Sequence, residues 1–167
     1  MRPMPATNGV LKPMTNVEFT VYGKPATAGS KRGIPYQKKA ENGGGLGVRM
    51  IHDNKRFKSF SAEIKDAAID AAGGQFFHDA VFMRVCIHRV RPKNHFGSKG
   101  RLSTRATDYP TTKPDALKVV RAIEDSLTGV LWRDDSQVVA HDLAKVWGDV
   151  EKVVVEIGSM ESPGLPD

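Results

Sequence analysis

Five carboxylates and four basic residues fall within 23 residues of this chain, KPDALKVVRAIEDSLTGVLWRDD (113–135). Acids at two separated points, Asp115 and Asp134-Asp135, flanked by Lys118 and Arg121, are the side-chain inventory of divalent-metal phosphodiester chemistry. Magnesium takes carboxylate oxygens and keeps several waters, so two to four acids from different elements are enough to hold it. A metal so held can polarise a phosphate and generate hydroxide, while a nearby cation offsets charge on phosphorus. Plainer roles compete residue by residue: Asp115 suits a helix N-cap, and Asp134-Asp135 suit a turn before a strand.

The elements that must position these groups can be read from the spacing. At 100° per residue, Ala116, Val120, Ile123 and Leu127 share one face of a helix over 115–128, with Val119 beside them. Lys118, Arg121 and Asp125 point away, and Leu117 and Glu124 sit on the border between the faces. A second helix is predicted over 59–72, opening on a capping-box-like Ser59 or Ser61 and ending at Gly73-Gly74. Strands are predicted at 17–23, at 81–90, and at 136–147 and 150–158, the last two as an antiparallel pair joined at Gly148-Asp149. A hairpin is expected around Gly43–Gly45, with GVRMIH returning. This order gives an α+β single domain: a small mixed β-sheet, two helices packed on one face, and long basic loops. Residues 1–16 are expected as a flexible arm, 17–158 as the domain, and 159–167 as a flexible tail.

The 167 residues carry a net charge of +6, and its distribution says more than its size. No acid occurs between Glu18 and Glu41 or between Asp79 and Asp108, where basic residues accumulate. Segregation of this kind suits a polyanion held beside an acidic centre. Lys31, Arg32, Lys55, Arg56, Arg91, Lys93, Lys99 and Arg101 are the expected contacts to such a polyanion, with His95 a phosphate neighbour. Tyr36, Phe57, Phe60 or Phe96 could stack on an unpaired base, although Phe57 and Phe60, flanking a helix start, better suit the core or a hydrophobic staple. The lone Cys86 excludes an internal disulfide and a Cys-rich zinc site. No uncharged apolar run approaches the ~20 residues of a membrane span, and a signal-peptide pattern is missing from the N-terminus, so the expected location is cytoplasmic.

TTKPDALKVVRAIEDSLTGVLWRDDSQVV, with the lysine-bearing LAKVWG after it and FTVYGKPATAGSKRG near the start, resembles the RusA-type Holliday junction resolvases. That resemblance implies a homodimeric, magnesium-dependent endonuclease, with manganese as a substitute, that nicks four-way DNA junctions symmetrically in recombination and repair. It places Asp115 at the family's first acid and Asp134 and Asp135 at its acidic pair. Leu117 stands where a second acid belongs, Lys118 where asparagine belongs, and Arg121 where a catalytic lysine belongs. Leucine cannot bind metal, and arginine cannot shuttle a proton at ordinary pH. One reading moves the lost carboxylate along the helix to Glu124, giving a set of Asp115, Glu124 and Asp135, with Asp125 and Asp134 in reserve. The alternatives are a catalytically impaired junction-binding protein and a general nucleic-acid-binding module.

Overall fold

The computed structural model describes residues 13–27, 31–38, 44–52 and 56–160. In chain order the elements are β1 (Pro13–Tyr22), β2 (Lys31–Gln37), β3 (Leu46–His52), α1 (Phe57–Ala72), β4 (Val81–Val90), α2 (Ala116–Leu127), β5 (Val138–Gly148) and β6 (Lys152–Met160). Four strands form one mixed sheet in the order β1-β6-β4-β5, and β2 and β3 form a separate two-stranded ribbon. The α+β reading of the sequence holds, with both helices and the mixed sheet in place.

Alternation on the strands determines which face is covered. Val17, Phe19 and Val21 of β1, Val81, Met83, Val85 and Ile87 of β4, and Val153, Val155 and Ile157 of β6 are all buried, two residues apart on each strand. Against them lie Phe60, Ile64 and Ala68 of α1 and Val119, Val120, Ile123 and Leu127 of α2, spaced as a helical face requires. The helices are also joined by a polar contact: the Ser61 hydroxyl lies 2.8 Å from Ser126 Oγ, which donates to the Ala122 carbonyl at 2.6 Å.

Several expectations are corrected. Strands β5 and β6 do not form a hairpin, because β4 lies between them, parallel to β5 and antiparallel to β6. The physical reason lies in composition. β6, with Val153, Val155 and Ile157 at 0% exposure, earns an interior position, whereas β5 carries His141, Asp142 and Lys145 and takes the edge. A parallel β4/β5 pair then needs a long crossover, and α2 lies within it. Helix α1 starts at Phe57 with no side-chain cap, and Ser59 donates instead to the Arg56 carbonyl. It ends as expected at Gly73, in the left-handed conformation with φ 55°. β1 starts at Pro13, inside the segment expected to be an arm, and β6 runs to Met160, inside the expected tail.

The hairpin expected in the first long basic segment is present as the β2/β3 ribbon, with GVRMIH in β3 and the register running from Lys31↔His52 to Gln37↔Leu46. The second, between β4 and α2, contains short 3-10 turns at Lys93–His95 and Ser98–Gly100 and is tied to the sheet. No helix among the described residues is long and apolar enough to cross a membrane.

Candidate active site and nucleic-acid interface

Asp115 caps α2: its Oδ1 accepts from the backbone N–H of Leu117 at 3.1 Å and of Lys118 at 3.4 Å. The capping role expected of an aspartate at this position is therefore realised, and it leaves the other carboxylate oxygen uncommitted to those amides. Asp115 opens onto a cleft of about 690 Å³ lined by Lys24, Arg56, Arg89, Lys113, Lys118 and Lys145, together with Pro25, Thr27, Thr111, Thr112 and Pro114. Six cations thus share a cleft with one carboxylate.

Two of these cations also hold the chain that leads into α2. Lys145 donates to the carbonyls of Thr112 at 2.8 Å and Pro114 at 3.2 Å, and Arg89 donates to the carbonyl between them, that of Lys113, at 2.8 Å. Lys145 and Arg89 lie on the helix-covered face of adjacent parallel strands, since Lys145 is in register with Ile87 and Arg89 with Trp147. Three successive carbonyls are therefore fixed from the sheet just before the residue that caps α2. Arg89 Nε lies 2.8 Å from Glu151 Oε2, although the angle gives neither atom a hydrogen bond. The contact is an ion pair held by charge alone. Arg56 in turn donates to the Lys24 carbonyl at 3.0 Å.

The acids singled out in the sequence are spread along a line. Asp115 lies by Lys145, through the Pro114 carbonyl. Glu124 Oε1 lies 2.7 Å from His141 Nε2, four residues back along β5, with its side chain only 18% exposed. Asp134 and Asp135 precede β5 altogether. Asp134 caps a 3-10 turn over Asp135–Gln137, where it accepts from Ser136 N at 2.9 Å, and Gln137 Oε1 accepts in return from Asp134 N at 3.1 Å. The Ser136 hydroxyl and amide hold the Asp134 carboxyl below its ordinary value. At ~3.3 Å per residue, the seven steps from Lys145 back to Val138 put the Asp115 and Asp135 ends roughly 20 Å apart.

The set Asp115, Glu124 and Asp135 therefore does not assemble within one chain, and Asp125 and Asp134 do not complete it. Among the described residues no three His, Cys, Asp or Glu side chains are grouped to hold a metal. One carboxylate among six cations does not fit magnesium, which needs several oxygen ligands. Leu117, at 72% exposure, occupies the helix flank beside Asp115, and Arg121 and Asp125 are exposed farther along.

Of the expected DNA contacts, Arg56 lines the cleft. Lys93, Lys99 and Arg101 are exposed on the β4–α2 connection, away from it. Arg91 instead donates to the Thr107 carbonyl at 2.8 Å and lies 5.1 Å from the centre of the Trp147 ring. The side chains of Lys31 and Arg32, and the whole of Lys55, fall outside the described residues. His95 packs edge-on against Trp147, with centroids 5.2 Å apart. Phe60 is in the core and Phe57 packs on it. The sequence reading did not single out Lys24, Arg89, Lys113 or Lys145 as contacts. The available signal was the period-two pattern of β5, which puts His141, Leu143, Lys145 and Trp147 on one face.

An α+β scaffold that points a capped helix and a cation-lined cleft toward one acid has the form of a protein acting on phosphodiesters. Comparison with known proteins agrees. Residues 32–158 match the family described as "Endodeoxyribonuclease RusA". The chain is also 30% identical over 146 residues to "Uncharacterized protein YqaN" of Bacillus subtilis (strain 168), covering 86% of this chain and 96% of that protein. The chain belongs to the RusA endodeoxyribonuclease family.

Proposed function

We propose that this protein is a structure-specific DNA endonuclease that binds four-way junctions and cuts them by paired phosphodiester hydrolysis, serving recombination and repair inside a bacterial or phage-infected cell. The observation that carries this reading is the cleft of six cations around Asp115 at the entrance to α2. Phosphates are held there by charge, with no reading of base sequence. The Lys145 and Arg89 bonds to three consecutive carbonyls keep the floor of the cleft from moving as a phosphate enters.

The spread of the acids and the need for two nicks both favour a homodimer. Two copies related by a twofold axis and laid antiparallel along the line of α2 would bring Asp135 of the partner subunit beside Asp115. Magnesium, or manganese in its place, belongs to this reading only in such a dimer, where it would supply Lewis-acid activation of the phosphate. Lys118 and Arg121 then serve as charge-stabilising groups on the same helix.

A second reading has a specific observation in its favour. The flank where the family has another acid is an exposed leucine, so a junction-binding protein with impaired chemistry also fits. Cleavage of a synthetic four-way junction with and without magnesium separates the two. Metal-dependent paired nicks support the endonuclease. Tight, junction-selective binding without nicks supports the impaired form, and equal affinity for linear duplex reduces the protein to a general nucleic-acid-binding module.

A further inference from the structure

Two residues beyond Lys145, on the same face of β5, Trp147 lines a second cavity. It measures about 410 Å³ and is bounded also by Val90, Arg91, Phe96, Gly148 and Asp149. Its polar frame is fixed: Trp147 Nε1 and Arg91 Nη1 both donate to the Thr107 carbonyl, at 2.9 and 2.8 Å. The guanidinium of Arg91 covers one part of the indole and His95 meets it edge-on, so the ring is braced from two sides. Phe96 is nevertheless 42% exposed and Val90 44% exposed. An indole, a phenyl ring and a guanidinium around an open space suit a flat aromatic ligand with polar edges.

The position of this cavity says what carries such a ligand. Lys145 lines the cationic cleft and Trp147 lines the aromatic cavity, ~7 Å apart along the strand. A phosphate held at Lys145 therefore leaves the base of its own or the next nucleotide within reach of Trp147. Resting on the DNA-binding reading above, we propose that the cavity takes one unstacked nucleobase of branched DNA while the neighbouring phosphate lies in the cleft. Phe96 and Trp147 supply the stacking faces, and Arg91 braces the indole. A fully paired linear duplex has no such base to offer, so the cavity confers selectivity for branched over linear DNA.

The chain has two tryptophans, and Trp132 is fully buried, so DNA-dependent quenching of tryptophan emission reports on Trp147. The test titrates the full-length protein, without metal, with a four-way junction and with a linear duplex of the same sequence. Emission should be quenched by the junction and little changed by the duplex. Phe96→Ala, at an exposed position that leaves the core intact, should weaken junction binding about tenfold and leave duplex binding unaltered. A circular dichroism spectrum matching wild type confirms that the variant is folded. Equal quenching by both DNAs, or equal junction affinity in Phe96→Ala and wild type, overturns the proposal. Failure to bind any DNA defeats the DNA reading and this proposal together. Junction binding with silent emission and a neutral Phe96→Ala removes the cavity's role alone.

Discussion

The separation of the acids makes a prediction that a mixing experiment can read. Asp115 lies at the Lys145 end of β5 and Asp135 lies before its first residue, roughly 20 Å away by strand rise. No aspartate side chain spans that gap, so a site that uses both must draw them from two chains. Asp115→Asn and Asp135→Asn should each abolish metal-dependent nicking. In a 1:1 mixture that has exchanged subunits, about half of the dimers carry one of each variant. Each mixed dimer has one centre with both substitutions and one with neither, so about a quarter of all centres should be live. The assay is nicking of an end-labelled four-way junction with magnesium. The mixture should regain about a quarter of the wild-type rate of first nicks, and few paired nicks, since each mixed dimer has one working centre. A mixture as inactive as its components would refute the two-chain argument. Full activity in Asp135→Asn alone would remove that residue from the chemistry.

Further expectations follow from the same geometry. Glu124→Gln should leave the nicking rate within about twofold of wild type, because Glu124 is engaged with His141; at a half-buried pair the stability cost is about 1 kcal/mol or less, read by urea denaturation. A large fall in rate would restore Glu124 to the site. Lys145→Met removes two charge-assisted bonds of about 1.5–3 kcal/mol each and should raise hydrogen exchange at the first turn of α2 while weakening junction binding. If all six cleft cations meet phosphates, log affinity should fall against log salt with a slope of about −5 per cleft, and a slope shallower than about −2 would show that the cleft is not the main contact. The folded-state carboxyl of Asp134 lies below its ordinary range, so its contribution to stability is present above the unfolded value and lost as pH falls through the folded one. The difference in Tm between wild type and Asp134→Ala should therefore be constant near neutrality and shrink in strong acid.

Local pattern made some of this fold legible and left the rest hidden. VFMRVCIHRV states its strand outright, since alternate side chains enter the core, and the 116–127 helix is equally plain from its apolar face. The N-cap role of Asp115 was readable because capping is decided within three residues. The partners of β5 were not, because pairing across a crossover leaves no mark at short range. A turn-like Gly148-Asp149 favours a hairpin on local grounds, and only the burial demanded by β6 overrules it. The pairing of Glu124 with His141 was hidden for a related reason. A helical wheel reports angle around an axis and is silent on distance along a neighbouring strand, where His141 waits. The clamp on three carbonyls was hidden because its acceptors are backbone atoms, which no residue type announces.

The place of β6 has a consequence for how such a protein comes into being. It lies between β1 and β4, yet it is the last of the six described strands to leave the ribosome. Until it inserts, β1 has no neighbour in the sheet and the inner edge of β4 is bare. The basic cleft depends on β4 and β5 staying in register, and their support is incomplete until then. Long-range pairing of this kind folds slowly. A chain still being synthesised therefore lacks a finished cation-lined cleft, and whatever the cleft holds can be held only once the sheet is complete.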